Sequence, residues 1–455
     1  MDELVKNRKM VLVNEVSPSF CLAKWLQVTV DLVHGTTHSC HHPQRHPVPL
    51  DELARSPSAL HNTSFKKQQR KLMLEGIRPP ECSYCWEVED ASKGAISDRL
   101  IKSSDPWAFP ELERVRGLAW DADISPTYLE VMLDDVCNFS CMYCMADISR
   151  SVAKEMEAFG PYRVSNPAHR MPQHPKPAGS NPFFTAFQEW LPEILPNLQV
   201  LRVTGGEPLL SPKLDTLLAE LQKRRQSTLK LVVNSHLGHA PHRIDRFCEK
   251  ISDLLEGGHI GSFELYTSVD GAGPQAEFMR HGLAYRSWLQ NVVRVTERLP
   301  DVPLVVMCTF NLLSITSFPA LLTDIRDLKL RAGGVSLDIS TLRDPNYLRA
   351  DMADESLRAA IRALQGFMQA ADCFSDHETL KLSNAITWAT SPRSPETLSR
   401  NRADFFVFIE EYSRRKGKSF LEVFPGYRDF FILCKTEAFR GLPIQNSQSR
   451  YITHT

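Results

Sequence analysis

No apolar run in this 455-residue chain is long enough to span a bilayer, which argues against a helical membrane protein. The first residues, Met-Asp-Glu-Leu-Val-Lys-Asn-Arg-Lys, contain no apolar signal core. Neither sign of charge is in excess. With 53 Lys and Arg against 54 Asp and Glu, the net charge is −1, and no global field draws the chain to nucleic acid or to an anionic membrane. No internal repeat is present. These absences leave a cytoplasmic protein as the expectation, with nucleic acid and membrane not expected as partners. What remains is ordinary for a globular chain, with 42% hydrophobic and 24% charged residues. The length calls for two or more domains, or for one barrel with attachments.

Eleven cysteines are present, and a reducing compartment argues against a disulfide framework. Seven of them precede residue 145, whereas Cys248, Cys308, Cys373 and Cys434 are scattered singly. Clustering separates candidate ligands from packing thiols, because free cysteine behaves as a small hydrophobe.

From about residue 127 strands and helices alternate. Strand-like runs are Tyr128–Leu133, Leu198–Val203, Leu229–Val233, Phe263–Thr267, Leu304–Phe310 and Val335–Ile339. Helical stretches lie between them, at Pro212–Arg225, Asp245–Leu255, Ala284–Leu299 and Phe318–Lys329. Six strands alternating with helices predict parallel β/α units, most simply a barrel or part of one. Residues 150–182, rich in Pro, His and Arg, break the rhythm and read as a long loop or insertion, a candidate substrate lid. After residue 350 the chain becomes helical and ends in a polar tail, expected to be mobile. There Phe405–Tyr412 and Phe424-Pro425-Gly426-Tyr427 read as packing against the barrel. An earlier helix is expected at Ser64–Gly76, and its basic run, Lys66 to Lys71, reads as a solvated face.

Three cysteines stand at Cys137, Cys141 and Cys144, spaced C-x3-C-x2-C, with Tyr143 before the last. Three thiolates in one short loop can grip three irons of a cubane cluster and leave the fourth iron open. A site that only stabilises a fold is normally closed by four protein ligands. A zinc knuckle is the alternative. The loop directly follows the first strand of the alternation, and in β/α barrels the active site forms at the C-terminal strand ends. The second strand ends in Thr204-Gly205-Gly206-Glu207-Pro208. Two glycines allow close backbone approach, Glu207 offers a carboxylate to an ammonium group, and Pro208 stiffens the turn.

With these two motifs one β/α unit apart, residues 127–340 resemble the radical S-adenosylmethionine (radical SAM) superfamily. The resemblance implies that Cys137, Cys141 and Cys144 hold a [4Fe-4S] cluster. The open iron would chelate the amino and carboxylate groups of SAM, and Gly205, Gly206 and Glu207 would position the methionyl amine. It further implies reductive cleavage of SAM, a 5′-deoxyadenosyl radical and hydrogen abstraction from a substrate. Asn234 and Ser235 close the third strand, and Ser268 and Asp270 the fourth. By the same resemblance Asn234, Ser268 and Asp270 are candidates for the ribose and carboxylate of SAM, although Asn and Asp-Gly are also common turn formers. Cys308, inside the fifth strand, reads as a buried packing thiol.

The first four cysteines form a second set: Cys21, then Gly35 and Cys40, then Cys82-x2-Cys85. This set resembles the first half of the SPASM pattern and its shortened twitch form, and Glu89, Gly94, Ser97 and Arg99 follow in a similar run. The order departs from the usual one, since such modules normally follow the radical SAM domain. The resemblance implies one auxiliary [4Fe-4S] cluster, closed by Cys21, Cys40, Cys82 and Cys85, that relays electrons or supports the structure. Four cysteines with a C-x2-C pair are also a zinc pattern, and that alternative stays open. The neighbouring His34, His38, His41, His42 and His46 read as solvated loop residues.

The expected architecture is α/β. It comprises a twitch-like module over 11–105, a partial (β/α)6 TIM-type barrel of the radical SAM type over 120–345, and a C-terminal helical extension over 346–445. The expected function is an oxidoreductase-like or peptide-modifying radical SAM enzyme. It would be served by a reductant such as flavodoxin or ferredoxin and act on a peptide, a protein side chain or a small molecule. The contrasting expectation is a non-catalytic iron–sulfur or zinc protein for electron transfer or scaffolding. Oligomeric state, the hydrogen donor and the catalytic acid or base are not legible.

Overall fold

The computed structural model describes residues 2–92, 95–165, 176 and 179–440. Gly94, most of the middle of the 150–182 insertion and the polar C-terminal tail lie outside the described residues. In chain order the strands are β1 (Gln27–Asp31), β2 (Thr36–His38), β3 (His46–Pro47), β4 (Tyr128–Met132), β5 (Ser140–Cys141), β6 (Val200–Thr204), β7 (Lys230–Asn234), β8 (Ser262–Ser268), β9 (Arg280–His281), β10 (Leu304–Phe310) and β11 (Val335–Thr341). All six expected strands are present, each within two residues of its expected bounds.

Nine strands form one sheet in the order β11-β10-β8-β7-β6-β4-β1-β2-β3. From β11 to β1 every neighbouring pair is parallel. From β4 to β11 the spatial order follows the sequence without reversal. Right-handed crossovers of that kind place the connecting helices on one face and bring all the C-terminal strand ends to one edge. Leu129, Val131, Leu201, Val203, Leu231, Val233, Phe263 and Leu265 are fully buried in the main hydrophobic core, each contributing about 1.5–3 kcal/mol. The alternate residues Glu130, Arg202, Glu264, Tyr266 and Asp338 are only partly buried. The opposite face of the sheet is therefore polar and partly open.

Sequence reading missed β1. Its Val28 and Val30 are fully buried, and Val28 pairs in register with Leu129 and Val30 with Val131. The N-terminal segment thus extends the core sheet, although it also owns a separate hydrophobic core that includes Trp25, Trp86, Cys21, Cys82 and Cys85. Gly35 turns the β1–β2 hairpin with φ of +66°, a conformation that suits glycine.

Two expectations fail on burial. The basic run of the helix Ser64–Leu74 faces water only in part: Gln68 is exposed and Lys67 and Lys71 are half-buried, but Lys66 and Arg70 are 1% and 0% exposed. Arg70 donates to the carbonyls of Lys24 (3.2 Å) and Ala122 (3.3 Å) and to Asn62 Oδ1 (3.1 Å). Lys66 Nζ donates to the Gln27 carbonyl (2.9 Å) and His61 Nδ1 (2.7 Å). These donors satisfy the chain around the start of β1, where burial also pushes the Lys66 amine well below its ordinary pKa. The nearby histidines also differ from expectation, because His34 is buried and His38, His42 and His46 are half-buried, whereas His41 is exposed. The 150–182 insertion begins as an α-helix, Arg150–Phe159, whose Val152, Ala153 and Met156 are buried on one face. The Pro- and His-rich stretch that follows it masked that periodicity.

The C-terminal aromatics pack as expected. Tyr412 Oη donates to the Phe278 carbonyl at 2.9 Å and Tyr427 Oη to the Leu312 carbonyl. Phe405, Phe420, Phe430 and Phe431 make edge and tilted contacts with one another. Cys308 is fully buried in β10, in line with a packing role.

Candidate functional site

The loop after β4 carries the three cysteines, and the turn after β6 carries the two glycines. These neighbouring strands bring them together. Gly206 N donates to the Asp134 carbonyl at 2.9 Å and Glu207 N to the Val136 carbonyl at 2.7 Å. A Cβ on Gly205 would lie 2.4 Å from the Asp134 carbonyl oxygen, and one on Gly206 would lie 2.5 Å from that of Val136. The glycines are thus required by close approach of the turn to the base of the cysteine loop.

The Glu207 carboxylate is 1% exposed and turned into the protein. It accepts from Ser235 Oγ (2.7 Å), Leu209 N (3.1 Å) and His236 N (2.8 Å), and the rings of His236 and His239 each lie 3.2 Å away. Burial opposes its charge, but the two imidazoles and the Ser235 hydroxyl outweigh burial and hold the carboxyl at about 2. Burial pushes the His236 imidazole down to about 4, so it is neutral at pH 7. Its Nδ1 accepts from Gly238 N at 2.9 Å, which puts the proton on Nε2, 3.0 Å from Asn138 Oδ1. The ring also stacks on Phe139, with centroids 3.7 Å apart. Glu207, His236 and His239 bring ligand-type atoms within 4.8 Å of one another. With both nitrogens of His236 engaged in this way, the group reads as a hydrogen-bonded brace and not as a metal site. Sequence reading singled out Glu207 and Ser235 but neither histidine, and nothing in their spacing marks them.

Cys137, Cys141 and Cys144 are each partly buried. Burial is the main cause that raises all three thiols, Cys137 to about 12. The unliganded thiols are protonated at neutral pH, and a bound metal would displace those protons. Asn234 ends β7 with its Nδ2 3.8 Å from Met307 Sδ, and its Oδ1 is buried without a hydrogen-bond partner. Ser268 lies opposite Met307 in register. Asp270 is 0% exposed and bound by Arg280, Tyr143 and the Thr309 amide. Of the expected SAM contacts, Asn234 and Ser268 therefore sit at partly exposed strand ends, while Glu207 and Asp270 are spent on internal bonds.

The four N-terminal cysteines, spread over 65 positions of sequence, line one pocket. Lys24, His42, Asp98, Arg99 and Lys102 share its wall. The expected run after Cys85 closes on itself. Ser97 Oγ and Arg99 Nε both donate to Glu89 Oε1 (2.6 and 2.9 Å), and Arg99 Nη1 donates to the Phe20 carbonyl (2.7 Å), next to Cys21. Burial again raises the thiols, Cys82 to about 12 and Cys85 to about 11. The buried Lys24 ammonium pairs with Glu81. Burial opposes its charge, but Cys82 and Glu81 keep its pKa above the usual range. The donor set is four sulfurs beside a buried cation, which suits a thiolate-bound, negatively charged group.

No described helix is long and apolar enough to cross a membrane. No family model matches the chain, and no curated protein matches it in sequence. Among solved structures it is similar to SuiB of Streptococcus suis bound to S-adenosylmethionine, at 10% identity and a TM-score of 0.36, covering 77% of this chain and 71% of that one. It is similar to a spore photoproduct lyase variant with dinucleoside spore photoproduct, at 10% identity and a TM-score of 0.30, covering 57% and 78%. A third similar structure is TYW1 with a lysine-pyruvate adduct, at 15% identity and a TM-score of 0.26, covering 51% and 70%. Likenesses this distant assign no activity.

Proposed function

We propose that the chain is a radical SAM enzyme whose core is a partial (β/α)6 barrel. The observation that carries this reading is the fusion of the Gly205-Gly206-Glu207 turn to the base of the Cys137–Cys144 loop, at the C-terminal ends of two adjacent parallel strands. Cys137, Cys141 and Cys144 would hold three irons of a [4Fe-4S] cluster, leaving the fourth iron for SAM. Together the cluster and SAM supply reductive cleavage of a carbon–sulfur bond and hydrogen-atom abstraction from a substrate.

The chain's own residues orient and shield. Gly205 and Gly206 offer backbone groups to the methionyl amine. Glu207 acts on that amine through the turn it braces. The orphaned Asn234 Oδ1 is suited to accept a hydrogen bond from a ribose hydroxyl, and Ser268 ends the neighbouring strand β8. Asp270 acts at one remove, through Arg280. Cys21, Cys40, Cys82 and Cys85 would hold one auxiliary [4Fe-4S] cluster in a twitch-like module. With a cysteine for every iron, these residues would leave no open position for substrate, and the chemistry supplied would be electron relay or support of the fold. The substrate is a peptide or protein side chain by association of such modules with peptide maturation, an analogy of fold.

The test is anaerobic reconstitution with iron and sulfide, followed by a 5′-deoxyadenosine assay under strong reductant. The wild type should form 5′-deoxyadenosine, and a Cys137→Ala/Cys141→Ala/Cys144→Ala variant should form none. No product from the wild type would sink the reading. Iron and sulfide retained by the triple variant should match one remaining cluster, whereas zinc in its place would overturn the auxiliary assignment.

A further inference from the structure

The short strands β5 and β9 form a separate antiparallel pair in which Cys141 stands directly opposite Arg280. Met142 N, bonded to the Met279 carbonyl at 2.9 Å, continues the pairing. Arg280 Nη1 approaches Cys141 Sγ at 3.9 Å, within the reach of an N–H donor to sulfur. The rest of the guanidinium is fixed. Its Nε and Nη2 bind the Asp270 carboxylate at 2.8 and 3.2 Å in a fork arrangement. Asp270 is held in turn by the Thr309 amide at 2.8 Å and by the Tyr143 hydroxyl. The guanidinium carbon also lies 5.5 Å from the centroid of the Tyr143 ring. A planar cation locked on one edge by a buried carboxylate thus directs its remaining edge at one of the three thiols. The register between β5 and β9 dictates which one.

We propose that Arg280 is a positioning residue that sets the reduction potential of the iron–sulfur cluster at Cys137, Cys141 and Cys144, and that Asp270 aims it. This inference rests on the reading of those cysteines given above. Reduction adds one electron, delivered by an external reductant of the flavodoxin or ferredoxin class, and makes no bond. The reduced cluster carries one more negative charge. An N–H donated to a ligand sulfur, together with a nearby positive charge, stabilises that form and raises the potential. Arginine suits the task better than lysine because its fork engages a carboxylate and a sulfur at once. Asp270 offsets much of the long-range charge, which leaves the directed hydrogen bond as the main local effect.

The experiment is a redox titration of the full chain, reconstituted anaerobically and followed by electron paramagnetic resonance. The signal monitored is the one whose line shape changes when SAM is added, which separates this cluster from an auxiliary one. Arg280→Gln should move the midpoint to more negative potential, and Arg280→Lys should move it less. The double variant Arg280→Gln/Asp270→Asn leaves the net charge of the pair unchanged and should still titrate more negatively than wild type. Midpoints equal to wild type at equal iron and sulfide content overturn the inference. So does loss of the cluster from all three variants, which marks a purely structural role. Absence of any SAM-responsive signal in the wild type refutes the enzyme reading itself, a result distinct from an unchanged midpoint.

Discussion

Glu207 shows how a residue can be singled out by type while its contacts stay hidden. Its Gly-Gly-Glu-Pro turn was legible because it comes one β/α unit after the three cysteines; by itself such a turn is an ordinary strand-end turn. Its partners were not, since Ser235, His236 and His239 arrive from the end of another strand. The glycines are clearer still. An added methyl on Gly206 meets backbone on the cysteine loop, which has no flexible side chain to yield. Gly206→Ala should therefore push the loop away from the turn, costing about 1–3 kcal/mol in overpacking. Iron retained per chain after reconstitution should fall with it. Unchanged iron content and unchanged urea midpoint together would contradict this account.

At the scale of elements, the six parallel strands β4, β6, β7, β8, β10 and β11 were legible because each is a short apolar or alternating run bounded by turn residues. β1 was overlooked because Gln27–Asp31 lies among cysteines and histidines whose spacing points to metal chemistry, although Val28 and Val30 alternate as a strand should. The basic helix failed for a different reason. Charge pattern alone says solvent, but Arg70 lies where the carbonyls of Lys24 and Ala122 need a donor. Arg70→Met should leave the Lys24 and Ala122 carbonyls short of a donor, Asn62 Oδ1 keeping the Ile124 amide, and destabilise the protein by about 2–4 kcal/mol, net of relief from burying a charge. A shift of the urea midpoint to lower concentration checks this, and a neutral substitution would show that water fills the gap.

For the whole molecule, several buried or half-buried histidines make stability depend on pH. Burial depresses the imidazoles of His46 to about 3 and His236 to about 4, and holds that of His61 well below its ordinary value. The unfolded chain takes up these protons near pH 6.5, and the folded chain does not. The folded state therefore loses stability as pH falls from about 6.5 toward 4. Each such imidazole costs about 1.4 kcal/mol for every tenfold by which folding weakens its hold on a proton. Glu207 contributes in the same direction at lower pH, since its stabilisation is present above its unfolded value and is lost as pH falls toward about 2. Urea unfolding at pH 7.5, 6 and 4.5 should give steadily lower midpoints. A midpoint flat across that range would contradict the buried neutral histidines.

The long helix Pro395–Lys416 ends beside the loop of the three cysteines: Lys416 Nζ donates to Ser140 Oγ at 2.7 Å and pairs with Glu155. Ser140 precedes Cys141, so the shape of the loop depends on a residue 276 positions further along the chain. During synthesis every cysteine of the triad leaves the ribosome long before its clamp exists. The cluster proposed for that loop would meet its clamped geometry only after residue 416 is made, and a chain still being made offers those thiols without that clamp.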